Sequence, residues 1–133
     1  KPAMNSSLSN PISIIMDRIG NIYFADYGNN RIRKVDIYGI ISTVAGNGSQ
    51  IYAGDNGNAQ NASINHPIGV TLDSVGNIYI ADSGNGCIRQ VNSEGIITTF
   101  SGERGSTYSG DGNSATKALM NEPEGIFYYS EKI

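Results

Sequence analysis

The 133-residue sequence contains no tryptophan, one cysteine (Cys87), one histidine (His66) and four prolines. A single cysteine excludes an internal disulfide and says little about redox compartment. One histidine with no cysteine or carboxylate partner in register is not a metal-ligand set, so His66, just ahead of Pro67, reads as an ordinary loop residue. Charged residues make up only 16% of the chain and the formal net charge is -3, which leaves no basic footprint for a nucleic-acid backbone. The one dense basic run, Arg31 to Lys34, falls inside an expected strand. No apolar run approaches the roughly 18 residues of a membrane-spanning helix. There is no Gly-x-Ser-x-Gly, no phosphate-cradling glycine loop and no Cys-x-x-Cys, and no cofactor is implied.

What the chain does have is turns. Seventeen glycines and fifteen asparagines, with almost no helix-favouring runs, indicate an all-β protein. Gly76-Asn77-Ile78-Tyr79-Ile80-Ala81-Asp82-Ser83-Gly84-Asn85 repeats Gly20-Asn21-Ile22-Tyr23-Phe24-Ala25-Asp26-Tyr27-Gly28-Asn29 at an offset of 56 residues. Of the 56 positions from Gly20 to Val75, 25 carry the same residue 56 places later, which marks one structural unit stacked on copies of itself.

Each unit reads as four short strands: 13–17, 21–25, 31–36 and 40–45 in the first, and 69–73, 77–81, 87–92 and 96–100 in the second. The turns between them, such as Asp17-Arg18-Ile19-Gly20 and Asn92-Ser93-Glu94-Gly95, open on Asp or Asn and close on Gly. The first bonds the backbone two residues on, and the last accepts the positive φ that closes a hairpin. Strands such as 22–25 are apolar on both faces, so each sheet must be sandwiched between neighbours. Tandem four-stranded antiparallel units of this kind are the blades of a β-propeller. The connectors repeat Tyr-x-Gly-Asp and then Ala-x-x-Ala (Tyr52, Gly54, Asp55, Ala59, Ala62; Tyr108, Gly110, Asp111, Ala115, Ala118), which suggests a short helical turn tucked between blades.

At these residues the chain resembles the NHL-repeat family of β-propellers, from about Asn5 to Tyr129. The matching pattern is Pro-x-Gly-Val-x-x-Asp-x-x-Gly-Asn-x-Tyr-x-Ala-Asp-x-Gly-Asn-x-x-Ile-Arg-x-Val, followed by the Gly-Asp and alanine signature of the connector. Ser13, Asn56 and Cys87 depart from it. The expected layout is blade one at 12–46, a connector at 47–67, blade two at 68–102, a connector at 103–123 and the first strand of a third blade at 124–133. The resemblance implies about six blades in a closed ring. Two blades leave wide apolar sides bare, so further blades or copies of the chain itself are expected to complete it.

A polar residue present in every unit is expected to serve the blade. By that rule Asp26 and Asp82 are turn formers, while Arg33 and Arg89 bond carbonyls or a repeated aspartate between blades. Asp55 and Asp111 are structural too, or hold a cation with backbone carbonyls, although one carboxylate per connector is too few for calcium. Cys87, where the first unit has Arg31, reads as a half-buried thiol rather than a nucleophile. Three Asn-x-Ser/Thr sites at Asn5, Asn47 and Asn61 permit secretion.

The loops after the second and fourth strands should share one face, with Tyr27, Asn29, Asn30, Ser83, Asn85 and Gly86 and the connector tips 47–51 and 103–107 as partner-binding candidates. Tyrosine and asparagine there suit recognition of a protein, or of a glycan. The leading expectation is a non-catalytic protein-binding scaffold. The alternatives are a fragment of a propeller lyase or hydrolase whose metal and catalytic residues lie in other blades, and a structural subunit of a larger assembly. The chain opens on Lys1-Pro2-Ala3 in mid-repeat, as a piece of something longer would.

Overall fold

The computed structural model describes residues 1–104 and 108–129. Blade one is an antiparallel meander of β1 (Pro11–Met16), β2 (Ile22–Asp26), β3 (Arg31–Val35) and β4 (Ile41–Ala45). The connector adds a two-residue β5 (Gly57–Asn58), which joins the edge of blade two beside β9. Blade two otherwise repeats the meander with β6 (Pro67–Leu72), β7 (Ile78–Asp82), β8 (Cys87–Val91) and β9 (Ile96–Ser101). Strand positions agree with the sequence reading to within two residues, and the fifth strand is new.

The turns form as their chemistry dictates. The Asp17 carboxylate accepts from the backbone N–H of Ile19, Gly20 and Asn21 at 2.9–3.0 Å, and Gly20 takes φ +106°. Asn92 Oδ1 accepts from Glu94 and Ile96 in the same way at 3.0 and 2.9 Å. Both kinds of turn lie at one end of the blades, the turn end. Short 3-10 turns at Tyr27–Asn29 and Ser83–Asn85 close the opposite, loop end. Each is followed by a left-handed residue, Asn30 (φ +52°) or Gly86 (φ +66°).

The blades pack face to face. Tyr23, Ala25 and Ile32 of blade one meet Val70, Ile78, Ile80, Val91 and Ile97 of blade two, with Ala59, Ala62 and Ile64 of the connector wedged between them. Ile32, Ile64, Ile80 and Ile97 are fully buried, each contributing about 1.5–3 kcal/mol of apolar burial. The connector's Ala-x-x-Ala forms a 3-10 turn at Ala59–Asn61, and the same turn recurs at Ala3–Asn5 and Ala115–Lys117 in strict 56-residue register. The outward sides carry exposed apolar groups, Ile14 (73% exposed) beside blade one's second strand and Phe100 (51%) on blade two.

Residues 122–129 carry no strand, although a third blade's first strand is expected from 124. They still follow β6 at close range, with Tyr128 N donating to Thr71 Oγ1 at 3.2 Å. A blade's first strand is held by ladder bonds to its second, and among the described residues no strand pairs with this stretch. Residues 130–133 of the expected strand, and 105–107 of the second connector tip, lie outside the described residues.

Candidate functional site

Two different arrangements use the polar residues singled out above. The first is a clamp between blade two and the connector, where a bond from blade to blade was expected of Arg89. Asp82 is completely buried and its carboxylate accepts from Asn85 Nδ2 at 3.1 and 3.0 Å, from the Asn65 N–H at 2.7 Å and from Arg89 Nη1 at 3.3 Å. Burial pushes its pKa up, against the pull of Asn85, Asn65 and Arg89. Arg89 is also fully buried, because its other nitrogen reaches Asp55 of the connector at 2.6 Å. Asp55 is further held by Thr99 Oγ1 at 2.7 Å and Tyr52 OH at 2.9 Å, and the Tyr52 ring lies 4.7 Å from the Arg89 guanidinium. Burial works to raise the Asp55 pKa, but Thr99, Arg89 and Tyr52 outweigh it and hold the carboxyl below its usual value.

Blade one has half of this clamp. Asp26 is buried and bonds Asn29 Nδ2 at 3.0 and 2.9 Å, the Ser9 N–H at 2.8 Å and Arg33 at 3.3 Å. The complementary half sits on the second connector, where Tyr108 OH donates to Asp111 at 2.5 Å and both residues are exposed. Asp55 therefore faces the Arg89 guanidinium, and among the described residues no group of three His, Cys, Asp or Glu stands together. Cys87 sits beneath Asp82, and burial together with that negative charge pushes its thiol up to about 12.

The second arrangement is the loop end. Of its six candidates, only Tyr27 and Asn29 are partly exposed; Asn30, Ser83, Asn85 and Gly86 are buried. The amides of Asn29 and Asn85 are occupied by Asp26 and Asp82, because a buried carboxylate has to be satisfied by neighbouring donors. Asn30 Oδ1 accepts from the His66 N–H at 2.9 Å, and Ser83 Oγ donates to the Pro123 carbonyl. Above them, Tyr27 stacks on His66 at 4.8 Å, Gln50 reaches the His66 ring at 3.5 Å, and Arg31 staples the carbonyls of Asn29 and Asn47 at 2.8 Å each.

Among the described residues the corresponding place in blade two is open. A groove of about 540 Å³ is lined there by Ser83, Gly84, Asn85, Gly86, Arg104, Asn121 and Glu122. Gln50, Arg104, Asn121 and Glu122 were not anticipated individually. The signal was nevertheless present, since Arg104 aligns with Gly48 and Glu122 with His66 across the 56-residue offset. A second groove of about 550 Å³ lies at the turn end between Ile15, Ile19, Leu72, Val75 and Tyr128.

The family model described as the Teneurin NHL domain matches residues 48–109. Teneurin-1 of Gallus gallus is 34% identical over 100 residues, covering 65% of this chain and 4% of that protein. A structural-genomics protein of unknown function from Bacteroides thetaiotaomicron aligns with a TM-score of 0.75 at 25% identity, over 93% of this chain and 32% of its own. An auxiliary nutrient binding protein from Bacteroides ovatus gives a TM-score of 0.73 at 23% identity, over 93% and 33% of the two chains, a likeness of fold. The chain thus spans about 4% of the teneurin it matches and about a third of these solved structures. The architecture is all-β and that of an incomplete propeller.

Proposed function

The chain belongs to the NHL-repeat β-propellers, and from that premise we propose that it is a non-catalytic scaffold presenting the loop end of its blades to a protein partner. What supports the reading is where the two units differ. The residues they share at the loop end, Asp26 and Asp82, Asn29 and Asn85, Arg33 and Arg89, bond one another and hold the frame. Among the residues that change, Tyr27 to Ser83, Asn30 to Gly86, Gly48 to Arg104 and His66 to Glu122 lie on that same end. A repeated frame carrying variable loops is how repeat scaffolds acquire specificity. Within this reading Tyr27, Gln50 and His66 are the contact residues on blade one, while Asn30, Ser83, Asn85 and Gly86 shape the surface from beneath. Further blades or copies would cover the bare sides.

A photo-reactive residue placed at Gln50 in the intact protein, in its native source, tests this against one placed at the turn-end residue Val75. Capture of the same protein at Gln50 in repeated preparations, and not at Val75, is the expected result. Capture confined to Val75, or none at either position, would overturn it.

A further inference from the structure

The groove on blade two is the imprint of side chains that blade one supplies for itself. In blade one, the Tyr27 ring lies against His66, and the Asn30 carboxamide oxygen accepts from the His66 N–H. In blade two, the backbone is the same. Ser83–Asn85 forms the same 3-10 turn as Tyr27–Asn29, and Gly86 and Asn30 are both left-handed. Glu122 takes φ +44° where His66 takes +47°. Two groups that flank His66 have no counterpart at Glu122, and Cys87 stands in place of the Arg31 that staples the loop. Serine replaces the tyrosine ring, and glycine replaces the asparagine that would reach Glu122. Ser83, Gly86 and Glu122 instead line the groove of about 540 Å³, within the size range of ligand sites.

We propose that this groove receives an aromatic side chain of the partner protein, together with a carbonyl or carboxylate oxygen of the same segment. The ring takes the place of Tyr27, and the oxygen takes the place of Asn30 Oδ1 at the Glu122 N–H. Arg104 supplies the wall that blade one makes from His66. Its guanidinium already lies 5.5 Å from the Tyr52 ring, and a planar cation with one aromatic neighbour can stack a second ring on its free face. Its charge also favours an anionic or carbonyl oxygen beside that ring. The inference rests on the loop-end reading and adds the chemistry of the contact.

The test uses N-acetyl-tyrosinamide as the aromatic probe and N-acetyl-leucinamide as control, with saturation-transfer NMR on the intact protein. The expected dissociation constant for the tyrosine probe is on the order of 1 mM, with transfer to its ring protons and little to the leucine probe. Filling the vacancy with the sister unit's residues, Ser83→Tyr with Gly86→Asn, should abolish the signal, and asparagine is acceptable at position 86 because Asn30 holds that conformation. Arg104→Ala, a change at an exposed residue, should weaken the probe about tenfold and does not depend on the filled variant folding. Equal signals from both probes, an undiminished signal in the filled variant, or an unchanged affinity in Arg104→Ala would each overturn the inference. If Gln50 captures a partner while the tyrosine probe fails, the loop-end reading stands and this inference falls.

Discussion

Asp55 and Asp111 occupy the same place in the repeat and have opposite surroundings, so mutating both to alanine gives a controlled measurement of the clamp. In Asp55→Ala, Arg89 keeps Asp82 and the Ser63 carbonyl but loses its shortest bond, and its Nε already has no partner. A hydrogen bond between charged groups contributes about 1.5–3 kcal/mol, and removing one partner of a buried pair costs towards 3–5 kcal/mol. The Asp55 side chain is 29% exposed, which favours the lower range. Asp111→Ala removes an exposed carboxylate bonded to Tyr108 and should stay within about 0.5 kcal/mol.

The assay is hydrogen exchange of the amides in β8 and β9, which reports local opening whatever the length of the intact protein. A loss of about 1.5–3 kcal/mol speeds that opening by roughly ten- to 150-fold in Asp55→Ala. Asp111→Ala should leave it within about twofold. The pH dependence gives a second check. The folded-state pKa of Asp55 is depressed below 3.8. Its contribution is therefore complete above that value and is lost as pH falls through the folded pKa. The wild type should gain exchange in that acid window, after correction for the intrinsic rate, more steeply than Asp55→Ala. Equal effects of the two alanine variants, or identical acid profiles, would refute the clamp.

Other consequences follow from the same packing. Cys87, with its thiol at about 12 and no exposed surface, should react with iodoacetamide at pH 8 only as blade two opens, in step with β8 exchange and far more slowly than after denaturation. Asn85→Asp sets a second carboxylate against buried Asp82 and should cost about 3 kcal/mol or more, read as loss of exchange protection in β7. Gly54→Ala places a Cβ 2.5 Å from Ala62 Cα at φ +97° and should cost about 3 kcal/mol or more, whereas Gly39→Ala, at φ +77° with open space around it, should cost about 1–2 kcal/mol. Exchange in the connector for the first, and in the β3–β4 turn for the second, separates the two.

Most of the frame was legible because its signals are local. Asp17 and Asn92 bond backbone groups two to four residues on, so a four-residue pattern suffices to place the turn. The two-residue β5 was not legible, because Gly57-Asn58 has no alternation and becomes a strand only by lying against Ile96 and Ile97. The loop end was misjudged in depth for a related reason. Asparagine and serine after a glycine-containing turn read as surface, yet Asn85 and Ser83 are drawn inward by a buried carboxylate and by the Pro123 carbonyl.

That inward pull bears on how such a repeat diversifies. Asp82 cannot be buried without Asn85, Asn65 and Arg89, and Arg89 cannot be buried without Asp55, which belongs to the preceding connector. Truncating Asp55, Asn85 or Arg89 leaves a buried charge short of a partner, at a cost of about 1.5–5 kcal/mol against the few that separate folded from unfolded. Tyr27, His66, Asn30 and Gly48 instead contact one another, through the Tyr27–His66 ring pair and the two bonds of the Asn30 carboxamide. Replacing them by Ser83, Glu122, Gly86 and Arg104 changes the surface without unsettling any buried charge. The loop-end layer is therefore free to vary from unit to unit, as are the exposed turn-end residues Ile37 and Tyr38, which become Ser93 and Glu94.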